Sequence, residues 1–251
     1  MIIITGPGRS GTSFLATLYR ELGFEPGGRF EPAVHAGLEH RDVVTLNLEV
    51  ARALGVSIRE RRGGRVLEAL GHAVRASDGR VPPALRRPIA DAVDALRYRR
   101  ATPDLMDWNS LDRVVERYGG PMRAFARDVQ VVKDPRFCWT LRAWLAAGVP
   151  IEAVVFTYRP LDAMADSRVR VGMYSQRARD WARHNYCYGI GLLLTAVAEH
   201  RVALSMLRYP DFLRDPADLY ATLPWPEPRT WEEFQRAFST VFDPSLVHDE
   251  R

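Results

Sequence analysis

The chain has very little lysine: a single one, Lys133, stands among 35 Lys and Arg residues. A general bias toward arginine leaves that one ammonium conspicuous, since a planar guanidinium cannot replace a compact point charge in a tight site. Cysteine is almost as scarce. Cys138 and Cys187 are the only two, and their separation has neither metal-ligand nor redox spacing, so free thiols in a reducing compartment are expected. No apolar run approaches membrane-spanning length. A strand that begins at residue 2 leaves no place for a signal peptide, and a cytoplasmic location is the expectation. Repeats, low-complexity tracts and aromatic-and-basic nucleic-acid motifs are also lacking. The formal net charge of +4 over 251 residues is modest, and a small anionic ligand explains it without nucleic acid.

What is present begins at the N-terminus. Ile2-Ile3-Ile4-Thr5 is a β-branched run suited to a buried parallel strand. Gly6-Pro7-Gly8-Arg9-Ser10-Gly11-Thr12-Ser13 follows as a glycine loop, and Phe14, Leu15, Leu18 and Leu22 then recur at helical spacing until Gly23. Loop amides and the positive end of a new helix together form a concave anion site sized for phosphate. The spacing Gly6 to Gly11 matches the Walker pattern, but Thr12 stands where that pattern has its lysine. Arg9 offers a cation earlier in the turn.

Further along, Gly23 to Glu25 suggests a short strand, and Val43, Leu46, Val50 and Leu54 form one face of a helix whose start lies near Glu39, with His35 and His40 on either side. An arginine-rich stretch, 56–103, carries helical periodicity without a chemical motif; it is read as a helical insertion, whose functional version is a cap that selects the acceptor. A helix over Ser110 to Tyr118 is expected to stop at Gly119-Gly120-Pro121. Three more strands are expected over 129–132, 151–158 and 202–208. Lys133-Asp134-Pro135-Arg136 and Arg159-Pro160 lie at strand ends, where parallel α/β sheets bind ligands. Near the C-terminus, Thr230 and Glu233 have capping-box spacing ahead of an apolar stripe of Trp231, Phe234, Phe238 and Phe242. The reading is one α/β domain over 1–251: a three-layer α/β/α sandwich on a P-loop-type parallel sheet of four to five strands.

Arg159 and Ser167 suit a second phosphate, a guanidinium fork and a hydroxyl brought together at the start of a helix. With these two anion sites, the chain resembles the soluble bacterial type of 3′-phosphoadenylyl sulfate (PAPS) dependent sulfotransferase. Gly6 to Ser13 resembles that family's 5′-phosphosulfate loop, and Arg159 with Ser167 resembles its 3′-phosphate motif. Val132 to Arg136, Tyr209-Pro210-Asp211-Phe212 and Asp215-Pro216 look like further landmarks. The resemblance implies sulfuryl transfer from PAPS to a hydroxyl or amine of a small-molecule, sugar or lipid acceptor, with no metal ion.

The resemblance implies that Gly8, Arg9, Ser10, Gly11, Thr12, Ser13, Arg159 and Ser167 bind the donor. Arg9 would stabilise the charge on the leaving phosphate, and Lys133 is a candidate to contact the sulfonate or bridging oxygen; an ion pair with Asp134 or another neighbouring acid is its other reading. Many animal members place a histidine two residues after a strand-end lysine, where this chain has Pro135, so the base must come from elsewhere. Glu39 resembles the glutamate of other branches and is the first choice, with His35 and His40 as alternatives. The acceptor pocket is expected to draw on 24–39, the insertion, Trp108 and Trp139. Two other readings remain open: a P-loop small-molecule kinase, and a non-catalytic nucleotide-binding protein of the same fold.

Overall fold

A computed structural model describes residues 1–8, 10–24, 38–56, 106–170 and 179–244. Within them, four strands, β1 (Ile2–Thr5), β2 (Val131–Lys133), β3 (Ala153–Tyr158) and β4 (Ala203–Arg208), form one parallel sheet in the order β2-β1-β3-β4. Eight helices accompany them: α1 (Thr12–Glu21), α2 (Arg41–Ala53), α3 (Leu111–Ala126), α4 (Phe137–Ala146), α5 (Leu161–Arg170), α6 (Arg179–His200), α7 (Pro216–Thr222) and α8 (Trp231–Val241).

The alternation of β1 builds the layers. Ile2 and Ile4 face a core with α1, α7 and α8, and Ile3 faces another with α2, α3, α4 and α6. All three isoleucines are buried, each contributing roughly 1.5–3 kcal/mol. Val131 and Val155 repeat the first orientation, and Val132, Val154 and Phe156 the second. β1 is thus buried on both faces and both edges, as its unbroken apolar run requires. The α/β class and the helix layers on both faces are as expected from the sequence.

Two local expectations are corrected. Of the short strand expected over Gly23 to Glu25, Gly23 and Phe24 are not in a strand, because they close α1 through bonds back to Arg20 and Tyr19, and Glu25 lies outside the described residues. A parallel bridge from Glu39 to Lys133 lines the outer edge of β2. The helix expected to end at Tyr118 runs on through Gly119, Gly120 and Pro121 to Ala126. Its apolar face explains this: Val114, Tyr118 and Met122 are buried, and Phe125 packs on the same core. Their burial outweighs the cost of about 3 kcal/mol for an interior proline.

Gly6 shows why the loop after β1 needs glycine. A Cβ there would collide with the Thr157 carbonyl oxygen and lie 2.7 Å from Thr157 Oγ1. The loop therefore lies flat against β3. The stretch 57–105, which includes nearly all of the expected insertion, lies outside the described residues, as do Arg9 and His35. No helix among the described residues is long and apolar enough to cross a membrane.

The two kinds of local device differ in what they contribute. Gly6→Ala must move backbone and is expected to cost about 3 kcal/mol or more. Thr230→Ala removes the hydroxyl that accepts from the Glu233 N–H at the start of α8, a loss of about 1 kcal/mol. Urea unfolding of both variants checks the ranking.

Candidate active site

β1 is the point at which the sheet changes direction. The chain leaves it for β2 on one side, then crosses over to β3 on the other. Ligand crevices in open parallel sheets form at the carboxyl ends of the strands at such a point. Ile4 is in register with Lys133 on one side and Val155 on the other. The glycine loop after β1 is therefore flanked by the Lys133 to Arg136 turn and by Arg159 after β3.

The loop is held by small polar groups. Ser10 is buried, its hydroxyl donating to the Pro7 carbonyl and sharing a hydrogen bond of 2.7 Å with Thr157 Oγ1. Gly11 caps α1 at φ 86° without a side-chain cap bond, and the first turn of α1 has no acidic residue. Left-handed backbone and a crowded position both demand glycine there: a Cβ would lie 2.6 Å from the Tyr209 ring and 2.8 Å from that of Phe212. The guanidinium of Arg159 lies over the Tyr209 ring at 5.5 Å. The segment after β4 thus supports both the start of α1 and Arg159. Thr12 is buried at the head of α1, Gly8 and Ser13 are half-buried, and Ser167 is half-buried on α5.

On the other side of the loop lies a buried ionic cluster. Lys133 Nζ donates to Glu39 Oε1 at 2.9 Å, and an Arg136 guanidinium nitrogen donates to Glu39 Oε2 at 2.9 Å. The same nitrogen donates to Asp134 Oδ1 at 2.8 Å, and so does the Arg136 backbone N–H at 2.9 Å. Asn47 Nδ2 donates to the other oxygen of Asp134 at 2.9 Å. Asn47 Oδ1 in turn accepts from Thr140 Oγ1 at 2.7 Å and Trp144 Nε1 at 2.8 Å. Two donors on that oxygen fix which way the amide points. Thr5 at the end of β1 donates its hydroxyl to the Asp134 carbonyl at 2.9 Å, so strand, turn and two helices meet here.

Burial alone would push the Glu39 carboxyl up, but the Lys133 ammonium and the Arg136 guanidinium outweigh it and hold it below the usual carboxylate range. Burial also works against the charge on Arg136, and Asp134 and Glu39 more than offset that, so the guanidinium stays charged. Burial pushes the Cys138 thiol up to about 12, which makes it an inert packing residue; both cysteines are free.

The residues expected to carry chemistry separate clearly. Glu39 and Lys133 are brought together. His40 is buried, caps α2 by accepting from the Asp42 N–H at 3.2 Å through Nδ1, and rests its ring on Phe125 at 4.8 Å. Trp139 is buried with its ring against Gly189 of α6, and Trp108 is partly buried under Arg142. The sequence offers Asp134 as a partner for Lys133, but it is Glu39 that pairs with the lysine, and Arg136 and Asn47 are site residues the sequence does not mark as such. Arg136 had a signal, two residues beyond a strand-end acid with a proline between. Asn47 had only its oddity, a polar residue close to the apolar face of α2. No cluster of three or more metal-ligating side chains occurs among the described residues.

A carboxyl held below its unfolded value stabilises the fold above that value, and the contribution is lost as pH falls through the depressed one. Glu39→Gln leaves two buried cations short of a carboxylate and is expected to cost about 3 kcal/mol near neutral pH. The gap to wild type should narrow as acid protonates Glu39. Urea unfolding of both proteins over a falling pH series measures it.

Neither a family model nor a curated protein matches the sequence. Two solved structures are similar in fold. One is the sulfotransferase domain from the curacin biosynthetic pathway, 15% identical with a TM-score of 0.41, the match covering 98% of this chain and 76% of that one. The other is the sulfotransferase STF1 from Mycobacterium tuberculosis H37Rv, 17% identical with a TM-score of 0.44, covering 95% of this chain and 70% of that one.

Proposed function

We propose that this protein is a cytoplasmic PAPS-dependent sulfotransferase that passes the sulfuryl group to a hydroxyl or amine of a small-molecule, sugar or lipid acceptor. The observation that carries the reading is the arrangement around β1. An amide-rich loop and an uncapped helix start lie between a lysine on one neighbouring strand end and an arginine on the other. Gly6 and Gly11 let the loop lie close against β3 and against the Tyr209 and Phe212 rings, and its amides together with the start of α1 suit a phosphate. Thr12 in place of the Walker lysine favours this donor over a nucleoside triphosphate.

PAPS supplies an activated sulfuryl group on a phosphate leaving group. In this reading Gly8, Ser10, Gly11, Thr12 and Ser13 hold the 5′ end with Arg9, and Arg159 and Ser167 hold the 3′-phosphate. Arg159 is stiffened for that task by the Tyr209 ring beneath it. Lys133 and Arg136 place positive charge where negative charge grows during transfer. Glu39 is the proton acceptor we assign for the incoming hydroxyl. His40 is the weaker candidate, since its Nδ1 is engaged in capping α2.

Calorimetric titration with adenosine 3′,5′-bisphosphate, beside ATP with magnesium, tests the donor. Preference for the bisphosphate is expected, weakened about 100-fold in Arg159→Ala by loss of a charge-assisted contact. Preference for ATP would replace this reading with a kinase. Glu39→Gln should keep nucleotide binding and lower turnover by about 10²- to 10⁴-fold; equal loss of both would refute the division of roles.

A further inference from the structure

Three hydroxyl side chains belong to the glycine loop and the residues it leads into, those of Ser10, Thr12 and Ser13, and they are not placed alike. Thr12 and Ser13 open α1. Ser10 instead turns inward: it is fully buried, and its hydroxyl meets the Pro7 carbonyl and, at 2.7 Å, Thr157 Oγ1 on β3. A hydroxyl has one proton to donate. Ser10 donates its own to Pro7, so the proton in the 2.7 Å contact is that of Thr157. The result is a directed chain from Thr157 through Ser10 to the loop backbone.

Thr157 meets the loop a second time. Its carbonyl oxygen fills the place that a Cβ on Gly6 would take, so the first residue of the loop and, through Ser10, its middle both rest on one residue of β3. That residue is fully buried, and β3 is paired on both sides, with β1 and with β4. It is therefore a rigid point of attachment. The far end of the loop is held separately, by the Tyr209 and Phe212 rings against Gly11. Arg159 follows two residues after Thr157, about 6–7 Å further along an extended chain. One stretch of chain thus carries the fastening of the first anion site and the guanidinium of the second.

We infer that Thr157 is a positioning residue for the anion site of the loop. Its hydroxyl, acting through Ser10, fixes the Pro7 carbonyl and with it the direction of the amides that follow. The Ser10 hydroxyl is a fastening within the protein, and Ser10 serves a ligand through its backbone alone. This rests on the donor reading above for the identity of the anion, the 5′ end of PAPS. One hydrogen bond between small neutral groups adds little to the stability of the whole fold. Amides aimed at an anion are more demanding, because their bonds weaken steeply with misalignment and a site works only when its supports hold it in place. The effect of Thr157 therefore belongs in binding at the 5′ end.

Calorimetric titration separates a fastening from a contact. Wild type, Thr157→Val, Ser10→Ala and the double variant are titrated with adenosine 3′,5′-bisphosphate and with adenosine 3′-monophosphate, which lacks the 5′-phosphate. Each single change is expected to weaken the bisphosphate about tenfold and to leave the 3′-monophosphate within about twofold of wild type. The double variant should bind no more weakly than either single one, because both changes remove the same chain. Thr157→Ser, which restores the hydroxyl, should bind as wild type does. Loss in Ser10→Ala with none in Thr157→Val would make Ser10 a direct contact and overturn the role given to Thr157. So would an equal loss of both nucleotides, no loss of either, or additive losses in the double variant, and each of these leaves the donor reading standing. Failure of the wild type to bind the bisphosphate would overturn the donor reading and the role of Thr157 together.

Discussion

Asp134 is a carboxylate with no access to water, and the site depends on how its charge is satisfied. A buried ion is tolerable only when its oxygens are fully engaged. Asp134 meets that condition by drawing in the Arg136 guanidinium, the Arg136 backbone N–H and the Asn47 amide. Each partner ties down a different element. Asn47 fastens α2 and, through Thr140 and Trp144, binds it to α4. Arg136 closes the turn from β2 into α4 and leaves its outer side for Glu39. The residues between the Glu39 bridge and the first turn of α2 are thereby brought to the sheet, although no strand of any length is there to hold them.

The same demand explains why the loop and the ionic cluster share one face. Thr5, the last residue of β1, binds the Asp134 carbonyl, and the Asp134 N–H binds the Ile4 carbonyl. The turn that carries Lys133 is therefore in register with the turn that begins the glycine loop. Movement of one would break the ladder of the other. On the opposite side, Gly6 against Thr157 and Gly11 against Tyr209 and Phe212 fix the loop to β3 and to the segment after β4. Close backbone approach does there what ion pairs do at β2.

Much of this was legible in the chain itself. The β1 run, the glycine loop and the polar strand ends are local signals, set by residue type and spacing over a dozen residues. α3 was misread because its stop signal was also local: Gly119, Gly120 and Pro121 argue for an end, while burial of Met122 against other helices argues for continuation. The second argument is tertiary, and no window on the sequence contains it. Arg136 and Asn47 escaped for a related reason. Their roles come from Asp134 and Glu39, 87 residues from Asn47 in one case and 97 from Arg136 in the other. The sequence named Lys133 and Glu39 separately, and only the fold made them a pair.

That pairing also has a consequence for charge. Lys133 and Arg136 stand against Glu39 and Asp134, two cations and two carboxylates, in a site from which water is largely withdrawn. The cluster is balanced as it stands. An anion brought beside it adds negative charge in a medium that screens poorly, and balance then requires another cation or a proton. A buried set of two cations and two carboxylates is thus held together by its own pairing rather than by water.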